Sequence, residues 1–330
     1  MSSKVFTSTS AVTANTALVG IDIGGTKTAV VLSTVTSQVQ WRQEFATLPH
    51  QGPQHALDTI LRLVRQALLD TGSKAAAIGV SCGGPLDRVR GIIQAPPNLP
   101  TWVDVPIKQL LEDEFQAPCF VENDANAGAV AEHRFGAGRG CRHMVFLTMG
   151  TGFGAGLILN GHIFHGATAM AGEVGHLRLT EDGPEGFNKA GSVEGWVSGG
   201  GIAQHGTAAV QDAVARGQST LLARALPHVT AKDIGQALHA GDAVAAAIVQ
   251  RTGRRLGEAL AVLVDLLNPE RIVIGGLALR LGEALLQPAR LRMQEESLTQ
   301  VAAVCSVVQA GLGERIGDMA ALCVAMGLHN

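Results

Sequence analysis

One device occurs twice in this chain. LVGIDIGGTKTAVVL at 18–32 and MVFLTMGTGFGAGLIL at 144–159 each pass from β-forming residues through a glycine turn into a second β-forming run. Laid over each other, about 126 residues apart, they put Gly24 on Gly150 and Asp22 on Thr148. The repeat points to two copies of one α/β unit with room for a ligand between the halves. Both turns have too little side chain to cover their own amides. Glycine also permits the positive φ values and close approach that form an anion-binding nest, which predicts a nucleoside triphosphate as ligand. Neither turn follows a common phosphate loop: GxxxxGK[ST] is absent, and DIGGTKT lacks the GxGxxG spacing and helix start of a dinucleotide fold. A single glycine turn reads equally well as an ordinary hairpin. Two in register weaken that reading.

Composition narrows the partner. At 330 residues, 46% hydrophobic and 16% charged, the chain has room for two domains with substantial cores. A formal charge of −3 and the lack of any Lys/Arg run give no attraction to nucleic acid or anionic membrane, so a small molecule is expected. Five cysteines, at 82, 119, 141, 305 and 323, are odd in number and without CxxC spacing, which suits reduced thiols in a cytoplasm. Residues 1–17 read as a loose Ser/Thr-rich tail rather than a signal peptide, and no apolar run is long enough to span a bilayer.

The remaining elements alternate as in an α/β protein. Residues 55–69 carry Leu57, Ile60, Leu61, Val64 and Leu68 at helical spacing and stop at Thr71 and Gly72. Residues 76–87 read as a buried strand entering a glycine turn, 106–115 as a helix, and 119–121 as a short strand delivering Glu122, Asn123, Asp124, Ala125 and Asn126. Open α/β sheets place ligand contacts at such strand ends. Further helices are predicted over 127–135, 203–215, 219–226, 232–248, 253–267 and 320–328, with Asn268 and Pro269 separating the fifth of these from a strand at 271–276. No Pro/Ser linker marks a boundary. The repeat therefore sets the expected division: the tail at 1–17, a small α/β domain from 18–124 plus 315–330, and a large one at 125–314 carrying most of the nucleotide site.

Seven motifs in sequence resemble the ROK family of bacterial sugar kinases and sugar-responsive repressors: DIGGTKT at 22–28, CGGPLD at 82–87, PPNLPTW at 96–102, ENDANAGAVAE at 122–132, MGTGFGAG at 149–156, GEVGH at 172–176 and NPERIVIGG at 268–276. The resemblance covers about 18–315 and implies a two-domain actin-like, ribonuclease-H-like ATPase fold with a hinged cleft, ATP on the larger domain and a hexose between the two. The repressor branch carries a helix-turn-helix domain ahead of its first phosphate motif. Only 17 residues without helical periodicity precede Leu18 here, so a kinase is expected.

Phosphoryl transfer to a sugar needs an oriented hydroxyl, a group to take its proton, and positive charge or N–H donors on the phosphates. Asp124 is the candidate base; with an ordinary pKa near about 3.9 it would be ionised at neutral pH. On spacing alone it is equally a helix N-cap, and the family's catalytic Asp decides for the base. Gly84, Asn98, Asn123, Glu173, His176 and Glu194 are expected around the sugar, whose hydroxyls both donate and accept. Asp22 is expected to order Mg²⁺ through water. Gly24, Gly25, Thr26 and Lys27 on one side and Gly150, Thr151 and Gly152 on the other would hold the phosphates, with Gly275 and Gly276 beside adenosine. Lys27 alternates with Thr26 and Thr28 and could equally point to solvent.

The chain departs from its relatives in the segment EGFNKAGSVE. Most of them have CxCGxxGCxE there, in which three cysteines join the GH histidine on zinc; this chain has Glu185, Phe187 and Ser192 at those places. Four ligands are needed and Phe187 supplies none, so zinc is not expected. His176 must then be oriented by another group or by the sugar, and loop 181–200 should rest on packing by Phe187 and Trp196. The expected activity is transfer of the γ-phosphoryl of MgATP to a hexose, at the 6-OH of glucose, by a cytoplasmic homodimer or tetramer. Mannose, allose, fructose, N-acetylmannosamine and N-acetylglucosamine are the other acceptors, and a catalytically idle sugar sensor is the other class.

Overall fold

The computed structural model describes residues 16–34 and 38–329. The expected tail at 1–15 lies outside them, while Thr16 and Ala17 already belong to the first strand. In chain order come β1 (Thr16–Ile23), β2 (Lys27–Ser33), β3 (Trp41–Ala46), α1 (Pro53–Thr71), β4 (Lys74–Cys82), β5 (Leu86–Asp87), β6 (Ile92–Ile93), α2 (Ile107–Phe115), β7 (Cys119–Asn123) and α3 (Asp124–Phe135). Next are β8 (Met144–Met149), β9 (Phe153–Leu159), β10 (His162–Ile163), β11 (Glu185–Gly186), β12 (Lys189–Ala190), α4 (Val193–Val197), α5 (Gly199–Ala215), α6 (Ala231–His239), α7 (Ala243–Leu267) and β13 (Arg271–Ile274). The chain closes with α8 (Leu277–Leu281), α9 (Glu283–Glu296), α10 (Thr299–Ala302), β14 (Ser306–Gln309) and α11 (Ile316–Ala325). Two compact units result. One runs to Phe135 and takes back the chain from Glu314; the other is Gly136–Gly313.

The units share one sheet plan. The first is ordered β3-β2-β1-β4-β7 and the second β10-β9-β8-β13-β14. In each, the first three strands in sequence form an antiparallel meander and the last two run parallel to its leading strand. The repeat read from the sequence survives at the level of register. Ile23 pairs with Thr28 around the first glycine turn and Met149 with Phe153 around the second, so Gly24 and Gly150 both follow the last paired residue.

Each sheet is buried by helices, as strands with near-continuous apolar runs require. Ile21, Val30, Ile78 and Val80 meet Ile60 and Val64 of α1 in the first core. Leu147, Ile272 and Ile274 share the second with Leu256 and Leu260 of α7. Side chains of this size stabilise by about 1.5–3 kcal/mol each when fully buried. Against the first sheet α11 lies unusually close. A Cβ on Gly79 would stand 2.2 Å from the Ala321 carbonyl oxygen, and one on its cross-strand neighbour Gly20 would stand 3.1 Å from the Ala321 Cβ.

Several helix limits differ from the sequence reading. The stretch 232–248 is two helices, broken where Gly241 takes φ +80° and Asp242 caps α7 through the amides of Val244 and Ala245. α7 then continues through Gly253, which the spacing takes as a start. A Cβ there would meet the Leu285 carbonyl and Pro288, both at 2.6 Å, so this glycine admits α9 to close contact rather than starting a helix. Residues 221–225 form a short 3-10 turn in place of the helix predicted at 219–226. The closing helix is 316–325 rather than 320–328. No described helix is long and apolar enough to cross a membrane.

Candidate functional site

In the first unit the predicted polar residues gather at the carboxyl ends of β1, β4 and β7. Asp22 is the penultimate residue of β1, beside Ser81 of β4. Asn123 ends β7 and accepts from the amides of Ala125 (2.9 Å) and Asn126 (3.4 Å), so the capping role open to Asp124 is taken by its neighbour. Asp124 accepts from the Ala125 amide through Oδ1 at 2.8 Å. Its Oδ2 lies on the other side, toward Gly83. A Cβ on Gly83 would be 3.9 Å from that oxygen and 3.6 Å from Asn98 Oδ1. Asn98 also presses on the first glycine turn, where a Cβ on Gly25 would come within 2.7 Å of its Cβ. Gly84 faces Asn123 Nδ2 in the same way at 3.3 Å. Thus Gly25, Gly83, Gly84, Asn98, Asn123 and Asp124 form one cluster, and Asn98 and Asp124 are open to solvent.

Two carboxylates here depart from their ordinary pKa, Asp124 against the expectation from sequence. Burial and the nearby charges of Asp124 and Asp318 raise Asp22 to about 6, against a hydrogen bond from Ser81 that favours the ionised form. Asp124 is also raised, by the protein packed about it, despite its solvent-accessible side chain. Asp318 was not foreseen from the sequence. It sits in the first turn of α11, ion-paired to Arg42 at 2.8 Å, and Gly317 beside it is packed so tightly that a Cβ would reach Asp22 Oδ2 at 2.2 Å. GDMAA gave no periodic or charge signal for this. Lys27 turns outward, 3.4 Å from Glu44 on the edge strand.

The first turn is held by its carbonyls. Thr47 donates its hydroxyl to Gly24 O at 2.7 Å and its amide to Thr26 O at 3.1 Å. Gly24 N–H closes the turn on Lys27 O, and among the described residues the Gly25 and Thr26 amides donate to no other group.

The second unit repeats that arrangement with other parts. Gly150 N–H closes on Gly152 O, while the carbonyls of Gly150 and Thr151 accept from Gly199 N–H (2.8 Å) and Gly200 N–H (3.4 Å) at the start of α5. Ser198 caps that helix through Gly201 N–H. The helix therefore starts at Gly199 rather than at the 203 predicted from spacing; the Ser-Gly-Gly-Gly run carries a cap signal for that start but none for its link to the turn. With the carbonyls engaged, the Thr151 and Gly152 amides are again uncommitted among the described residues. Glu194 accepts from Phe153 N–H at 3.0 Å, at the foot of this turn. Gly276 takes φ +64° with a Cβ position 2.1 Å from Met149 O, so glycine is required there on both counts, and Gly275 N–H bonds Leu147 O.

Glu173 precedes and His176 ends a 3-10 turn (Val174–His176), and both are exposed. The departing segment beside them is a hairpin, β11 and β12, closed by Phe187 (φ +45°) and Asn188 (φ +59°). Two positive central φ values mark a type I′ turn. Trp196 is buried and donates to Thr180 Oγ1, as the packing role expected of it requires. Phe187 does not share that role: it is 54% exposed, and its ring meets His176 edge-on at 5.1 Å and 79°. Ser192 caps α4 through Gly195 N–H. Among the described residues no three His, Cys, Asp or Glu side chains are grouped to hold a metal.

The sequence profile of the ROK family matches residues 18–327. A glucokinase of Halalkalibacterium halodurans is 35% identical over 91% of this chain and 92% of its own length. A glucokinase of the family from Streptomyces griseus, solved with glucose and AMPPNP, is 28% identical, with a TM-score of 0.79 over 94% of this chain and 99% of that one. A transcriptional regulator of the family, a homologue of the Escherichia coli MLC protein, is 22% identical and shares the fold, with a TM-score of 0.83 over 96% of this chain and 79% of that one. The two like-ordered units thus have the actin-like ATPase fold, and the chain belongs to the ROK family.

Proposed function

We propose that this protein is a sugar kinase that transfers the γ-phosphoryl of MgATP to a hexose, at the 6-OH of glucose. The observation that carries the reading is the Asp124 carboxylate. Its Oδ1 is committed to the Ala125 amide, and its Oδ2 faces Asn98 across Gly83. Oδ2 is the atom assigned to accept the hydroxyl proton as the bond to phosphorus forms. A carboxylate raised above its ordinary range is better matched to that transfer near neutral pH. Asn98 and Asn123, at the same strand ends, are assigned to orient the acceptor, since an amide both donates and accepts. Within the second unit, the family motif supports assigning the exposed Glu173 and His176, and Glu194, to the sugar.

The residues fit ATP and Mg²⁺. Asp22 stands among the like charges of Asp124 and Asp318, an arrangement that a cation would relieve, and one carboxylate with water suits Mg²⁺. The uncommitted amides of Gly25, Thr26, Thr151 and Gly152 suit phosphate oxygens, and the family motif supports assigning Gly275 and Gly276, at the end of β13, to the nucleoside. When bound, the metal neutralises phosphate charge. No zinc is assigned to the segment 185–192, because Phe187 has no donor and the Ser192 hydroxyl serves as a cap. One zinc per washed chain by elemental analysis would overturn that.

The glucokinase relatives support glucose as acceptor. The test is ADP release from MgATP with glucose, mannose, allose, fructose, N-acetylmannosamine and N-acetylglucosamine. Turnover on glucose is expected; turnover on another sugar alone moves the acceptor. Sugar binding without any turnover would favour a sensor.

A further inference from the structure

We infer that Phe187 is a positioning residue for the sugar, holding the His176 imidazole through an edge-to-face ring contact. This rests on the assignment of His176 to sugar binding. Two ordinary reasons for a phenylalanine do not apply here. At 54% exposed it recovers little burial, and at φ +45° it occupies a left-handed turn position where Asn, Asp or Gly is cheaper. A bulky residue kept in a costly backbone state points to a use for its side chain.

The hairpin that carries it is fixed at its base. Gln204 of α5 accepts from the Glu185 amide at 3.0 Å and donates to the Glu185 carbonyl at 2.8 Å. Gly186 lies so close to α4 that a Cβ would be 2.5 Å from the Gly195 nitrogen. Lys189 on the returning strand donates to the His176 carbonyl at 2.5 Å, tying the histidine backbone to the same hairpin. The Phe187 ring therefore meets His176 from an anchored support. Among the described residues both imidazole nitrogens are uncommitted, so the contact limits the ring's rotation while leaving its hydrogen-bonding edge for a ligand.

Phe187→Asn and Phe187→Tyr separate this role from a structural one. Asn suits the I′ turn, so Phe187→Asn should melt at or above the wild-type temperature. Its KM for sugar should rise about 3- to 10-fold, the scale of one lost ring contact, with kcat within about twofold. Phe187→Tyr keeps the ring edge and should return KM to the wild-type value. An unchanged KM in Phe187→Asn overturns the inference, as does a joint fall in melting temperature and kcat. Wild-type protein that neither binds nor phosphorylates a hexose removes the functional reading and this inference with it; failure confined to the variant removes the inference alone.

Discussion

The two glycine turns close at the same register but are supported by different means. In the first unit one residue, Thr47, holds the turn's carbonyls, Gly24 O by its hydroxyl and Thr26 O by its backbone amide; in the second the start of α5 does so with two glycine amides. In both, fixing the carbonyls leaves consecutive amides uncommitted. What differs is the residue two places before the turn. The first unit has Asp22, set among Asp124 and Asp318, and the second has Thr148. A duplicated frame has thus kept its amide-presenting geometry twice and its carboxylates once. The chemistry is expected to be as unequal as the charges.

The largest test of that inequality is Asp124→Asn. Loss of the base should lower kcat by about 10²- to 10⁴-fold while sugar affinity by calorimetry stays within a few-fold. A near-wild-type kcat would remove Asp124 from the chemistry.

Asp22→Asn should raise the Mg²⁺ concentration for half-maximal rate by about 10- to 100-fold. It should also stabilise the ligand-free fold. The folded pKa of about 6 lies above the ordinary value of 3.8, so the folded state holds the proton more tightly. The wild type's stability from this group is full below the unfolded pKa and is lost as pH rises through 6. By linkage the variant's advantage is up to about 3 kcal/mol at pH 8 and vanishes at pH 3. Denaturant melts at both pH values check the sign; an equal gain at pH 3 and 8 would sink the assignment of the shift.

Alanine in the two turns sharpens the contrast in packing. Gly25→Ala would force its Cβ against the Asn98 backbone oxygen at 2.8 Å and should cost about 1–3 kcal/mol. Gly150→Ala meets nothing within 4 Å and should stay within about 0.5 kcal/mol of wild type. Equal losses would mean that the turns are packed alike. The smallest pair concerns their supports. Thr47→Val removes the bonds to Gly24 and Thr28 and should cost about 1–2 kcal/mol. Glu194→Gln retains an acceptor for the Phe153 amide and should cost under about 0.5 kcal/mol.

The turns, their register and the strand that delivers Asn123 and Asp124 were legible because each depends on neighbours in sequence, although that strand runs to Asn123 rather than stopping at 121. Gly253 was misread because a glycine that marks a helix boundary can equally let another helix approach, and only the position of α9 distinguishes them. α9 itself was missed, since Pro288 lies within it and argues locally against a helix. The raised Asp22 depends on Asp124 and Asp318, about 100 and 300 residues away in sequence, and no local pattern announces such neighbours. Phe187 read as a packing residue by its type alone. Its exposure and left-handed backbone came from the hairpin around it.

The return of α11 to the first sheet has a consequence for synthesis. Residues 136–313 form their unit from continuous chain, but the unit containing Asp22 has to wait for residues 316–325 before its sheet is covered at Gly20 and Gly79. At about 5–20 residues per second, that wait after Phe135 emerges is roughly 10–40 s. During it, an apolar strand face has no helix over it, and Asp22 has neither Gly317 nor Asp318 beside it. The second unit, although later in sequence, can finish folding on the ribosome before the first.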